Sequence, residues 1–162
     1  MARAFIAVPL PQSICANLLE LDRSQQGIRW SSPERWHITI RFFEDAAMGQ
    51  LEQLFFQIEA QEAVGSLGPR VSRLGEQILI VPVGGLSVLA DQVRAATAPQ
   101  GSNDQLPFVG HITLGRMKEA GSAELEGTAI EGVFRVDQLL LVESRIESGG
   151  HAHTVVGSQP LL

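Results

Sequence analysis

Apolar and polar positions alternate with a period of two over several short stretches of this chain, and recur with a helical period over three longer ones. RAFIAVPL (3–10) is apolar, β-prone and closed by proline, which predicts a strand. Ile14, Leu18 and Leu21 then fall on one face of a helix predicted over 12–25. IRW (28–30) reads as a short extended piece, SSPER as a turn, and WHITIRFF (36–43) as a strand by alternation. Asp45 is the expected N-cap of a second helix over 46–62, where Leu51, Leu54, Phe55 and Ile58 form a core-facing stripe.

Residues 64–85 predict two strands joined by a turn near Gly75, the second of them, QILIVPV, largely buried. Leu86, Leu89, Val93 and Ala96 mark a third helix ending near Pro99, and QGSNDQLP is a polar loop. FVGHITLGRM (108–117) is a strand in which Gly115 marks a bend or bulge. The segment 118–131, rich in Ala, Gly, Glu and Ser, is expected to be a mobile surface loop. VFRVDQLLLVES (133–144) predicts one long strand, with HAHTVV (151–156) as its hairpin partner. Irregular alternation of strands and helices, with hairpins, favours an α+β fold with antiparallel sheets.

Composition bounds what such a fold can do. At 162 residues, 44% hydrophobic and 19% charged, the chain is expected to form one domain with a sizeable core. No apolar run approaches the length that crosses a bilayer. The apolar start is short and broken by Pro9 and Pro11, which suits an edge strand better than a signal peptide, so the expected location is the cytoplasm. The single cysteine, Cys15, has no partner for an internal disulfide or a thiolate metal cluster. A net charge of −6 argues against a surface that grips long nucleic acid. The cations are nevertheless almost all arginine, with Lys118 the one lysine, and arginine presents a planar fork matched to phosphate.

Two strands share a pattern that packing alone does not demand: His37-Ile38-Thr39-Ile40 and His111-Ile112-Thr113-Leu114. Side chains alternate across a strand, so His37 and Thr39 share one face while Ile38 and Ile40 enter the core, and the second motif repeats this. Arg41 shares the parity of His37, whereas Phe42 and Arg116 have core-facing parity unless each strand bends. In-line displacement at phosphorus needs a base on the attacking side and an acid on the leaving side. An imidazole can do either near neutrality, so two histidines on facing strands could serve one phosphate without a metal. Each threonine hydroxyl, pointing the same way, could donate to a non-bridging oxygen.

These paired H-x-T-x motifs resemble the signature of the 2H phosphoesterase superfamily, and most closely its RNA 2′,3′-cyclic phosphodiesterase branch, the LigT-like or 2′-5′ RNA ligase family. The flanks are similar too: RAFIAVPLP to the family's opening strand, RWSSPERWHITIRFFED and PFVGHITLGRM to its two motifs, and FRVDQLLLVESRI with the following G-G to its terminal strand. The resemblance implies two pseudo-symmetric lobes, each an antiparallel sheet backed by helices, around a groove that holds both histidines. It implies hydrolysis of an RNA 2′,3′-cyclic phosphate to a 2′-phosphomonoester with no metal or cofactor, by a monomer acting on RNA ends or short oligonucleotides. On that pattern His37 protonates the leaving O3′, His111 activates water, and Thr39 and Thr113 hold phosphate oxygens. Phe42 matches a position that packs on the nucleobase, and Arg116 one that contacts the nucleotide.

The chain departs from the family pattern at two places. Gly110 stands where proline usually precedes the second histidine, and His153 replaces a tyrosine after the final G-G turn. His151 and His153 form an H-x-H pair, read as part of an exposed hairpin edge, since no carboxylate or Cys lies at ligand spacing. Trp30 and Trp36 read as core packing. Three functions stay open on these residues: the hydrolase, a ligase or an enzyme opening another cyclic nucleotide phosphate through the same histidines, and a non-catalytic RNA-end binding module.

Overall fold

In the computed structural model, which describes residues 2–101, 107–119, 121–148 and 150–162, ten strands form two antiparallel sheets. The first sheet has the order β10-β9-β1-β3, from β1 (Ala2–Pro9), β3 (His37–Ala46), β9 (Gln138–Glu147) and β10 (Gly150–Pro160). The second runs β2-β7-β6-β4-β8, from β2 (Ile28–Trp30), β4 (Ala63–Leu67), β6 (Ile78–Gly84), β7 (His111–Met117) and β8 (Gly132–Val136). A further strand, β5 (Ser72–Leu74), pairs with β6. The fold is α+β in two lobes, as expected, with the helices exchanged between them. Helix α1 (Gln12–Leu19) follows a strand of the first sheet but packs on β8 of the second. Helix α3 (Ser87–Ala96) follows a strand of the second but packs on β3 of the first. One cluster of buried apolar side chains, from Ile6 and Leu139 to Leu79 and Ile112, runs through both lobes.

Several elements differ from the sequence expectation, each for a local reason. Helix α1 stops at Leu19, because Asp22 Oδ1 accepts from the backbone N–H of Ser24 at 3.0 Å and from its hydroxyl at 2.5 Å, a turn that competes with helix. Asp45 lies inside β3 and is no cap; α2 (Met48–Phe56) starts after Ala47, whose N–H donates to Gln100 Oε1 at 2.9 Å. Residues 64–85 give three strands instead of two, with Gly75 in the expected turn at φ 66°. The segment 118–131 is anchored: Ala123, Leu125 and Ile130 are buried and Ala129 pairs with Arg70. The long strand predicted over 133–144 divides at Asp137 into β8 and β9, which belong to different sheets. Most of the predicted polar loop, 102–106, lies outside the described residues.

Matched irregularities in β3 and β7 matter most. Opposite β1 the register passes from Ala7↔Thr39 to Ile6↔Arg41, and opposite β6 from Ile80↔Thr113 to Leu79↔Gly115. Each strand holds one extra residue, Ile40 or Leu114, a β-bulge that reverses the alternation beyond it. Ile40 and Arg41 are therefore buried in succession, as are Leu114 and Gly115. Gly115 thus marks the bulge its sequence position predicted. Arg41 corrects a parity reading: it does not share the face of His37. It is 5% exposed, lies inward, and donates through Nη1 to Arg94 O at 3.0 Å and Thr97 Oγ1 at 2.7 Å at the end of α3. The same reversal turns Phe42 and Arg116 outward, onto the faces of His37 and His111.

Candidate functional site

Strands β3 and β7 pack against each other across the two sheets, which brings the faces of both motifs together. His37, Thr39, His111 and Thr113 line one cavity of about 130 Å³, with Ser31, Arg35 and His153 completing its wall. Each imidazole is held in the same way. His37 Nδ1 donates to Arg35 O at 2.6 Å, and His111 Nδ1 donates to Val109 O at 2.7 Å. A carbonyl can only accept, so Nδ1 carries the proton in each neutral ring and Nε2 is left as the acceptor. His37 Nε2 accepts from the Thr39 hydroxyl at 3.0 Å. His111 Nε2 and the Thr113 hydroxyl have no protein partner among the described residues.

The carbonyl acceptors come from different local structure. Arg35 ends the single helical turn Pro33–Arg35 that leads into β3. Before His111 the chain is held by Val83 N–H donating to Gly110 O at 2.8 Å. A Cβ on Gly110 would stand 2.4 Å from Val83 O, so this close pairing of β6 and β7 accounts for glycine where the family pattern has proline.

Two neighbours of His37 were not read as site residues from the sequence. Phe5, on β1, stacks on the His37 ring with centroids 4.9 Å apart and planes 16° apart. His153 meets Phe5 edge-on at 5.1 Å and His37 edge-on at 6.1 Å. His153 stands exposed on the edge strand β10, as expected, and its ring also forms part of the cavity wall, while His151 Nδ1 lies 3.5 Å from Ser144 Oγ. Burial holds the His37 pKa below that of a free imidazole. The charges of His111 and Arg35 add to this, and the bond to Arg35 O partly offsets it. Burial likewise lowers the His153 pKa, with Arg35, His37 and His151 contributing. Trp36 is buried in the core as predicted, and Trp30, half-buried against it, donates Nε1–H to Gln25 O at 3.2 Å.

Phe42 and Arg116 stand exposed on the same strand faces, further along and outside the cavity wall. The Arg3 guanidinium lies over the Phe42 ring at 5.3 Å. No carboxylate lines the cavity among the described residues, so a chain of net charge −6 presents here three imidazoles, a guanidinium and three hydroxyls. Such a lining suits an anion with several acceptor oxygens, and a phosphate is one. Among the described residues no three His, Cys, Asp or Glu side chains are grouped to hold a metal ion.

No protein-family model and no curated protein matches the sequence. Solved structures do match. TT0787 of Thermus thermophilus superposes with a TM-score of 0.78 at 22% identity, over 98% of this chain and 97% of that one. E. coli LigT in its apo form does so with a TM-score of 0.78 at 25% identity, over 99% and 97%, and LigT has also been solved with 3′-AMP. The MHV ns2 PDE domain is more distant, with a TM-score of 0.58 at 16% identity over 87% of this chain and 99% of that one. No helix among the described residues is long and apolar enough to cross a membrane.

Proposed function

We propose that this chain, which has the fold of the LigT-like 2H phosphoesterases, hydrolyses RNA 2′,3′-cyclic phosphate ends to 2′-phosphomonoesters by acid–base catalysis between two histidines. One observation carries the reading. Two imidazoles, each fixed by Nδ1 to the carbonyl two residues earlier, stand with paired threonines around one cavity of phosphate-bearing size. A protein that only bound a phosphate would not need two rings with the same fixed tautomer. That LigT and a PDE domain share the fold, and that LigT takes up 3′-AMP, supports a nucleotide phosphoester as the substrate class.

In this reading His111, whose Nε2 has no protein partner among the described residues, takes a proton from water as it attacks phosphorus. His37, protonated in the complex, gives its Nε2 proton to the departing O3′. Burial that lowers the His37 pKa makes it the stronger proton donor once charged. Thr39 and Thr113 donate to the non-bridging oxygens. Phe42 packs on the nucleobase and Arg116 contacts the nucleotide, both turned to the open face by the bulges. The bond from phosphorus to O3′ breaks, the bond from water oxygen to phosphorus forms, and the 2′-phosphate remains.

The deciding experiment is hydrolysis of a short RNA with a 2′,3′-cyclic end, with and without EDTA, identifying the phosphomonoester formed. A 2′-phosphate, formed equally in EDTA, is expected. His37→Ala and His111→Ala should each lower turnover by about 10²–10⁴-fold. Near-normal turnover in both variants would dispose of the proposal.

A further inference from the structure

A second cavity, of about 530 Å³, shares Arg35, His37 and His153 with the first. Its floor is Phe5, Ala7, Leu140 and Val142, a small apolar cluster separate from the main core. These side chains stand on the face of the first sheet that carries His37, away from the face that α3 covers. The first cavity, at about 130 Å³, has room for a phosphate group but falls well below the size of a nucleoside pocket. The second lies within that range and is apolar where it is buried; its Arg35 and Glu34 are exposed. Arg35 belongs to both walls and makes no ion pair among the described residues, so a free guanidinium sits at the seam. A mononucleotide with one cyclic phosphate would offer that fork an anion on the first cavity's side only and leave the second wall empty.

We propose that this recess is a second nucleoside subsite: it holds the base of the nucleotide preceding the cyclic end, with Arg35 on the phosphate that joins the two. The proposal rests on the phosphoesterase reading of the neighbouring cavity and adds a length requirement to it. Aromatic and aliphatic side chains offer a base a flat apolar surface without reading its edges, so the preference is for a strand of at least two nucleotides and not for a sequence.

The wall of the recess carries its own reporter, since Cys15, the chain's one cysteine, lines it. Burial raises the Cys15 pKa, so alkylation by a maleimide is followed at about pH 8.5, where more thiolate forms. A dinucleotide ending in a 2′-phosphate should slow the labelling about tenfold. A mononucleoside 2′-phosphate and inorganic phosphate should leave it nearly unchanged. In turnover, a cyclic-ended dinucleotide should exceed a cyclic mononucleotide in kcat/KM by about tenfold or more. Val155→Glu, at a half-exposed wall position on an edge strand, should bring that ratio close to one. Equal protection by the mononucleotide, no protection by the dinucleotide, or a wild-type ratio near one overturns the second subsite. If neither substrate is turned over, the hydrolase reading fails, and labelling still decides what the recess holds.

Discussion

Thr113→Val should slow cyclic phosphate hydrolysis more than Thr39→Val, although the two threonines hold matching places in matching motifs. On the proposed mechanism each hydroxyl donates at the transition state to a charged phosphate oxygen, a bond worth about 1.5–3 kcal/mol net. Their starting points differ. In the free protein Thr39 already donates to His37 Nε2 at 3.0 Å, and a neutral bond of that kind is worth about 0.5–1.5 kcal/mol. Thr113 has no such partner among the described residues. Turning Thr39 to the phosphate gives up the imidazole, which leaves a net gain of about 1 kcal/mol, whereas Thr113 contributes in full. Because kcat/KM is measured from free enzyme, Thr39→Val should cost roughly fivefold and Thr113→Val about 10- to 150-fold. Valine keeps the shape and the β-branching, and both sites are half-buried in strands, so thermal melts should show the fold intact. If Thr39→Val proves equal or worse, the hydroxyl of Thr39 acts through His37 at the transition state and not on the phosphate.

Other consequences arise from the titrations and the backbone. If His37 is the acid, kcat/KM should fall on the alkaline side from a pH below 6.5, because burial lowers its pKa from that value; a profile limb above 6.5 that shifts in His37 variants would contradict the assignment. His37 and His153 both have lowered folded pKa values, so the unfolded chain binds more protons and stability is lost as pH falls below 6.5. His153→Phe, which keeps a ring against Phe5, should therefore flatten the fall in Tm between about pH 7 and 5; an unchanged slope in calorimetry would count against it. Gly110→Ala places a Cβ 2.4 Å from Val83 O and should destabilise by about 1–3 kcal/mol in denaturant titration while lowering turnover through His111. Wild-type stability and turnover together would show that β7 can shift freely there.

Much of the site is legible in the chain because it rests on period two. The imidazole and hydroxyl of each motif fall on one face and the aliphatic pair on the other, and the structure places them so. Phe42 resists the same reading, since a bulge is a property of two strands: Gly115 signals the one in β7 that turns Arg116, but nothing near Ile40 announces its counterpart, which only the register against β1 shows. His153 reaches the cavity wall from β10, and Phe5 the outer face of the His37 ring from β1, through the order of the sheet, which no local pattern encodes. The division at Asp137 does carry a signal. The doublet Asp137-Gln138 breaks the alternation, moving the buried positions from Phe134 and Val136 to Leu139 and Leu141, and the chain crosses between sheets at that point.

The bulges also give the four-residue signature a longer physical unit. A regular strand that displays His37 and Thr39 would display Arg41 next and bury Phe42. With one inserted residue the displayed set becomes positions 37, 39 and 42, and in the other lobe 111, 113 and 116. The inward place released by each bulge is filled differently: Arg41 reaches α3, while Gly115 leaves room for β2, where a Cβ would stand 2.8 Å from Ile28 Cγ2. The outward third place also differs, an aromatic ring in one lobe and a guanidinium in the other. Two lobes that agree in imidazole, hydroxyl and bulge, and differ on the displayed face in the side chain beyond the bulge, divide the work in a definite way. On the proposed mechanism the shared part brackets one phosphorus from both sides, and the unshared part gives those sides different chemistry, a π-face beside the His37 strand and a cation beside the His111 strand. Exchanging Phe42 and Arg116 should therefore leave stability nearly unchanged, both being exposed, and should raise KM for a cyclic-ended RNA far more than it lowers kcat. A fall confined to kcat would place these side chains at the reacting phosphate instead.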